Sequence, residues 1–397
     1  MVQMLNIEDN KGIMILETKD LAKMKEALAI LLYVPNPQLK PLIIEELGSY
    51  LKSKFYSNDH NIKMFIAYVG SEVKGFVICY IHPHYTSYGR KCGTFGWLCA
   101  EEFEICKALM MQCEQFMIQL NVRKLRGPVN FPKLMGGMGI QTHGFDEPLI
   151  SGVSFSPLES RLLEYLNELG YEFESEYTCL KVIKKTWEKG KKVDPNIKLK
   201  CLTLEEIKNM RAQVFELVKE SFYGIVPDSS GFDEKFDEVV RALEKLPDSY
   251  YQMKKPFNPE EWSDMPEYRE AWEECDMEKV IVFWPAAYDR TSNRLVGLLA
   301  LYPDLFEIYL TDKSTRTNVD TAMVDKNYGG RGIFSALNNF GQINCNIHGI
   351  TYFEGTYVWT RNSKGVNNER AIATIFPHCT PIRKHVVVEK NIRKSNR

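Results

Sequence analysis

One order of apolar segments occurs twice in this chain, and any fold must accommodate both copies. A period of about two marks a strand and a period of about 3.6 marks a helix. In the first half the pattern predicts strands at 13–16, 64–69, 76–81, 94–99, 124–129 and 177–183, with helices at 21–32, 41–55, 101–120 and 157–169. In the second half it predicts strands at 198–202, 280–283, 296–301, 319–324, 351–359 and 383–388, with helices at 204–222, 234–246, 333–346 and 368–376. Each half therefore runs strand, two helices, three strands, helix, strand, helix, strand. The starts of the third strands even match around a glycine: Val73-Lys74-Gly75-Phe76 and Leu295-Val296-Gly297-Leu298. A long-period duplication explains this better than chance. Between the copies, the stretch from Lys184 to Pro195 is charged, contains Gly190 and has little to bury, so it reads as a linker. The expected organisation is 1–184, a linker at 185–196, and 197–397.

Composition narrows the classes. A chain of 397 residues has room for two or three domains. With 44% hydrophobic and 26% charged residues it matches an ordinary globular protein. A formal net charge of -2 supplies no broad basic field, so no nucleic-acid partner is expected. No apolar run approaches roughly 18 residues, so no membrane span is expected. The first ten residues carry no apolar core of a secretory signal. The ten cysteines include no Cys-x-x-Cys pair. Cys92, Cys99, Cys106 and Cys113 fall seven apart, but metal ligands on one helix come three or four apart. They read as reduced structural thiols, which suits the cytoplasm. His82 and His84 alternate beside a strand end and read as surface or rim; no metal site is expected.

The sharpest local feature is Val324-Asp325-Lys326-Asn327-Tyr328-Gly329-Gly330-Arg331-Gly332-Ile333. A strand ends, three glycines follow, and a helix begins. Glycine lets the backbone turn and approach a ligand. A helix start offers unpaired N–H groups and a partial positive charge. The combination is a candidate pyrophosphate cradle. It is not a P-loop, because no Lys-Ser or Lys-Thr follows, and its Gly spacing is not the dinucleotide fingerprint. A tight turn needing Gly for geometry alone is the plainer reading.

That order of elements, with a glycine turn after the fourth strand, resembles the GNAT acyltransferase superfamily over nearly the whole chain. The family's pyrophosphate signature, Arg/Gln-x-x-Gly-x-Gly/Ala, falls on Asn327, Gly330 and Gly332, with Asn in first place. The first half resembles a subgroup of bacterial and archaeal tandem proteins through Gly127-Pro128-Val129-Asn130 and Gly144-Phe145-Asp146-Glu147-Pro148. The resemblance implies an α/β (α+β) fold of two tandem GNAT-like domains, each a mixed, mainly antiparallel central sheet flanked by helices. It implies acetyl-CoA or another acyl-CoA as co-substrate, and a small-molecule or peptide amine as acceptor. Backbone N–H groups around Met323, Val324 and Asp325 would polarise the thioester carbonyl. Asn327, Gly329, Gly330, Arg331, Gly332 and Ile333 would hold the pyrophosphate, with Arg331 adding a charge-assisted contact. Many members carry a Tyr on the last helix, seven residues after an Asn. Here Asn368 fits the Asn, as a cofactor contact or a helix cap, and Ala371 fits the small residue, but Ile375 stands at the Tyr position.

An attacking amine must lose a proton, and Glu354 is the candidate base, because a carboxylate in mid-strand is expensive to bury. Alternation places Tyr352, Glu354 and Thr356 on one face. Tyr357 or Tyr352, or water, would replace the missing acid. The first-half junction, Cys99-Ala100-Glu101-Glu102-Phe103-Glu104, has three glutamates that suit a helix dipole and repel a pyrophosphate. That half is expected to lack the cofactor site. Gly136-Gly137-Met138-Gly139-Ile140 copies the glycine letters but follows a different strand, and reads as a surface or ligand-lining loop. The insert at 247–278, with Tyr250, Tyr251, Phe257, Trp262, Tyr268 and Trp272, reads as an acceptor pocket for a cationic amine or a packed helical excursion. Three functions remain open: an N-acyltransferase; a non-catalytic acyl-CoA-binding sensor or interaction protein; and an aminoacyl transferase of the peptidoglycan-bridge type. The near-neutral charge and intact glycine turn disfavour the third.

Overall fold

The computed structural model describes residues 3–6, 12–57, 61–183, 192–222, 232–247, 266–276 and 279–392. Most of the expected linker, and Tyr250, Tyr251, Phe257 and Trp262 of the insert, lie outside the described residues. The strands are β1 (Gln3–Asn6), β2 (Ile13–Thr18), β3 (Asn61–Val69), β4 (Glu72–Ile81), β5 (Thr86–Ser87), β6 (Arg90–Lys91), β7 (Gly93–Ala100), β8 (Lys124–Gly127), β9 (Ile140–His143), β10 (Glu172–Val182), β11 (Ile197–Thr203), β12 (Val280–Asp289), β13 (Leu295–Pro303), β14 (Arg316–Val324), β15 (Tyr352–Asn362) and β16 (Cys379–Asn391). The helices are α1 (Leu21–Leu31), α2 (Lys40–Phe55), α3 (Phe103–Gln119), α4 (Lys133–Gly136), α5 (Leu162–Glu168), α6 (Leu204–Asn209), α7 (Arg211–Phe222), α8 (Phe232–Lys245), α9 (Pro266–Glu273), α10 (Leu305–Thr311), α11 (Ile333–Ile347) and α12 (Glu369–Ile375).

Two units interleave along the chain. The first comprises Met1–Thr178, Trp359–Ala371 and Ile382–Arg397; the second comprises Cys179–Val358 and Ile372–Pro381. In the first unit the strand order is β1-β2-β3-β4-β7-β8-β16-β10. The pairs from β1 to β7 and the pair β8–β16 are antiparallel, and β7–β8 is parallel. Helix α3 buries Ile105, Leu109, Cys113 and Met117 against this sheet. In the second unit the order is β15-β14-β13-β12-β11, antiparallel except for the parallel pair β14–β15. Strand pairing within each unit is thus mixed, mainly antiparallel, and flanked by helices. Among the described residues, no helix is long and apolar enough to cross a membrane.

The glycine common to both strand starts has a packing cause. A Cβ built on Gly75 would lie 2.4 Å from Ile105 Cγ2 and 2.8 Å from Leu109 Cδ1. One built on Gly297 would lie 2.7 Å from Ile333 Cγ2 and 3.0 Å from Leu337 Cδ1. Ile105 and Leu109, like Ile333 and Leu337, stand one helical turn apart. Each unit therefore seats the first turns of its helix directly on a strand glycine.

The sequence pattern misses three things. The helix expected at 204–222 is two, α6 and α7, broken at Met210; Thr203 and Glu206 form a capping box at the start of α6. Pro285 sits inside β12, next to a register shift against β11, where a missing N–H is tolerated. The stretch 131–140 is buried throughout, containing α4 and the start of β9, so it is not a surface loop.

The closing strand β16 pairs Val388 with Gly127 of β8, and Val386, Val388 and Ile392 join the first unit's core. Beside it, Arg126 and Glu174 are fully buried and paired at 2.7 Å. The Arg126 guanidinium also donates to the hydroxyls of Tyr85 and Tyr177, while Tyr88 donates to Glu174 at 2.7 Å. Removing one partner strands a buried charge. Glu174→Leu is expected to destabilise the first unit by about 3–5 kcal/mol in urea unfolding. His385 of β16 is also fully buried, with its ring 3.0 Å from the Ser154 carbonyl, and burial pushes its pKa down to about 4. Because the folded state resists the proton that the unfolded state accepts, stability is lost as pH falls from about 6.5 through 4. The loss is expected to reach about 3 kcal/mol. Urea titrations at pH 7 and pH 4 should show it, and His385→Gln should shrink it.

Candidate functional site

The glycine turn in the second unit is held by one carboxylate. Asp325 is fully buried and accepts from Asn327 N at 2.9 Å, Asn327 Nδ2 at 3.0 Å and Arg294 Nη2 at 2.6 Å. Its own N–H donates to Val296 O at 2.9 Å. Asn327 therefore spends its side chain on the turn. Gly330 and Gly332 adopt φ of 78° and 77°, in the left-handed region where a Cβ is strained. The first bonded amide of α11 is Ala336, which donates to Gly332 O at 3.0 Å. The N–H groups of residues 330–335 have no acceptor among the described residues. A Cβ on Gly330 would meet nothing within 4 Å among the described residues. Arg331 lies 4.6 Å over the Tyr328 ring and 3.4 Å from Asp194, so its charge is shared before any ligand arrives. Ile333 is buried and serves the packing on Gly297.

Next to the turn, the parallel pair β14–β15 opens. Its register runs from Arg316↔Tyr352 to Val319↔Gly355 and stops there. On its other edge β14 continues against β13 to Gly297↔Val324, with Asp320 an extra residue at a bulge. Since Asp325 N–H points at Val296, ladder alternation points the N–H groups of Met323 toward β13 and of Val324 and Ala322 toward the opened side. Met323 is buried, and Val324 O accepts from Ser221 Oγ at 3.0 Å.

Glu354 lies opposite Asn318, fully buried, and accepts from Tyr352 Oη at 2.8 Å. Beside it, Thr356 Oγ1 donates to Asn318 Oδ1 at 2.9 Å, and Asn318 Nδ2 donates to Tyr302 Oη at 2.7 Å. Burial, with the charges of Asp320, Tyr357 and Glu238, raises the Tyr302 pKa well above its ordinary value, so it stays protonated. Asp320 at the bulge is ion-paired with Lys235. Sequence reasoning missed Asn318, Tyr302 and Asp320, because each sits in a run that reads simply as strand. Tyr357 is half-buried with φ of 54°, an uncommon backbone for a non-glycine residue. Glu354 and the glycine turn are separated by roughly 20 Å of strand.

Asn368 falls in the first unit, while the glycine turn falls in the second. Its N–H donates to Thr360 O at 2.7 Å and its Nδ2 to Trp359 O at 3.4 Å. The side chain that caps the first amide of α12 is that of Asn367, at 3.0 Å from Glu369 N. Ile375 on α12 is 54% exposed.

The first unit has the same opening with different chemistry. The parallel pair β7–β8 ends at Thr94↔Arg126, and beyond it lies a cavity of about 340 Å³. Trp97, Cys99, Glu101, Pro128 and Asn130 line it, together with Gly136 and Gly139 of the second glycine-rich stretch. Trp97 N–H, at φ 51°, donates to Asn130 Oδ1 at 2.7 Å, and its indole donates to Phe131 O at 2.7 Å. Glu101 N donates to Lys74 O, matching the bond from Asp325 to Val296. Glu101 and Ile105 are four positions apart, whereas Asp325 and Ile333 are eight apart. The extra residues are the glycine turn. In its place the first unit has Glu101 paired with Lys74 at 3.0 Å and Glu104 paired with Lys107 at 3.4 Å.

No family model matches the chain, and no curated protein sequence matches it. Among solved structures it is similar to a tandem GNAT protein from the clavulanic acid biosynthesis pathway: TM-score 0.51, 10% identity, covering 100% of this chain and 99% of that one. It is also similar to a GCN5-related N-acetyltransferase from Sphaerobacter thermophilus: TM-score 0.50, 12% identity, covering 96% of each chain. A third likeness is to a fungal GCN5-related glucosamine N-acetyltransferase region within a multi-domain β-N-acetylglucosaminidase: TM-score 0.54, 10% identity, covering 97% of this chain and 39% of that one. The chain therefore has the GNAT type of fold; at this identity the likeness concerns the fold alone.

The turn should respond to its own chemistry before any ligand is considered. Gly332→Ala is expected to cost about 1–2 kcal/mol through its left-handed backbone, and Asp325→Ala about 1–3 kcal/mol by stranding buried donors. Urea unfolding of both variants checks this.

Proposed function

We propose that the second unit binds an acyl-CoA and passes its acyl group to an amine. The observation that carries this reading is the run of amides at 330–335 with no acceptor among the described residues, beside an edge of β14 whose pairing with β15 ends at Val319. The pyrophosphate would rest on those amides, with Gly329, Gly330 and Gly332 leaving it room and Arg331 turning toward it from Asp194. The extended arm would run along β14 into the opening. There a carbonyl oxygen would accept from the N–H of Val324 or Ala322, which stabilises the oxyanion as it develops. Glu354 would receive the proton of the attacking amine through water, since about 13 Å of strand separates its partner Asn318 from Ala322. The C–N bond forms, the C–S bond breaks, and the thiolate takes its proton from Tyr357 or water.

A second reading rests on Ile375. An exposed isoleucine where related proteins carry a tyrosine acid favours a protein that binds acyl-CoA without turning it over. Acetyl-CoA and acyl chain length are not distinguished by the turn, which meets only the common pyrophosphate.

Titration calorimetry with acetyl-CoA should show binding to the wild type and its loss in Gly330→Glu. Gly330→Ala, which carries the same left-handed backbone strain without the charge, should keep more of the binding than Gly330→Glu, and absence of binding in the wild type would sink both readings. A screen of amines for release of free CoA then separates the two. In the enzyme reading, Glu354→Gln lowers turnover about 10²–10⁴-fold; unchanged turnover removes Glu354 as the base.

A further inference from the structure

The cavity of the first unit is large enough for a small ligand, and its chemistry differs from that of the glycine turn. Its one charged lining group without an ion-pair partner among the described residues is Glu159. The other two are compensated: Glu101 by Lys74 at 3.0 Å, and Arg161 by Glu164 at 2.8 Å. Leu31, the last residue of α1, lines it with Leu32 and Tyr33, and the last turn of α1 carries no basic residue, so the negative end of its dipole is unmasked. At the far wall the positive end of α3 is offset by Glu101, Glu102 and Glu104.

The apolar part of the wall is aromatic. Tyr33, Trp97, Phe155 and Tyr165 all line the cavity. The Arg161 guanidinium already lies 5.3 Å over the Tyr165 ring, so a cation on an aromatic face is part of this wall's own construction. The polar edge of the wall is spent internally, because the Trp97 amide and indole N–H groups are given to Asn130 and Phe131. Little is left to donate to an anion. Lys40 is the basic group felt at Cys99, and it stands outside the lining.

We propose that this cavity is a binding site for an organic cation with an apolar body, such as an aryl or alkyl ammonium compound. The cationic head sits by Glu159 and the end of α1, and the body packs on the aromatic wall. Cation–π attraction and an unpaired carboxylate both select against phosphates and carboxylates. The site does not depend on the reading of the glycine turn.

The test uses the full chain and three probes of one shape: benzyltrimethylammonium, neutral benzyl alcohol and benzoate, followed by ligand-observed NMR and calorimetry. The ammonium compound should bind, the alcohol should bind at least fivefold more weakly, and benzoate should not bind. Glu159→Gln should weaken the ammonium compound about threefold to fivefold, and Glu159→Lys should abolish it. Tyr33→Ala should weaken it without changing the melting temperature, since Tyr33 is 45% exposed. Benzoate binding as tightly as the ammonium compound overturns the proposal. So does an ammonium affinity indifferent to both Glu159→Lys and Tyr33→Ala, or no ammonium binding at about 10 mM.

Discussion

Helix α11 lies so close to β13 that no side chain fits at Gly297, and this contact governs the site. With Ile333 and Leu337 seated on that glycine, the first turn of the helix is fixed in space. The chain leaving β14 must then reach a predetermined point. In the first unit it does so in four residues, straight from Glu101 to Ile105. In the second it takes eight, and the surplus becomes a loop with its amides turned outward. The geometry of the glycine turn is thus a by-product of a packing contact and a length difference. Asp325 converts that loose length into a defined loop by bonding to Asn327 and Arg294.

The same architecture yields two chemically opposed openings. Both arise where a parallel strand pair ends early, after Thr94↔Arg126 and after Val319↔Gly355. In the second, free amides gather at the helix start. In the first, carboxylates occupy that start and Asn130 consumes the amide that the Trp97 backbone presents. The two units share an order of elements while their electrostatics differ.

Much of this was legible in the residues. The short continuous apolar runs 64–69 and 76–81, largely buried on both faces, and the helical spacing of Ile105, Leu109 and Cys113 are strong signals, because burial enforces them. The repeated Gly75 and Gly297 pointed to equivalent positions, and the glycine turn stood out by letters alone. Other features were hidden. Asn318, Tyr302 and Asp320 interact across neighbouring strands, and no local period announces a cross-strand hydrogen bond. The stretch from Gly136 to Ile140 looked like a loop because its glycines mask a buried path against β16. Asn368 matched a motif, yet Asn367 makes the cap, a distinction set by backbone geometry at one residue.

The place of β16 has a consequence for how the protein comes into being. Residues 382–392 belong to the first unit and pair with β8, although they are made after the whole of the second unit. A ribosome releasing the chain from its N-terminus cannot finish the first unit before nearly all of the second has emerged. Until then the edge of β8 is bare, with unpaired backbone groups and Leu125 near the rim. Synthesis is therefore not two independent foldings in series: the earlier copy waits on the tail of the later one.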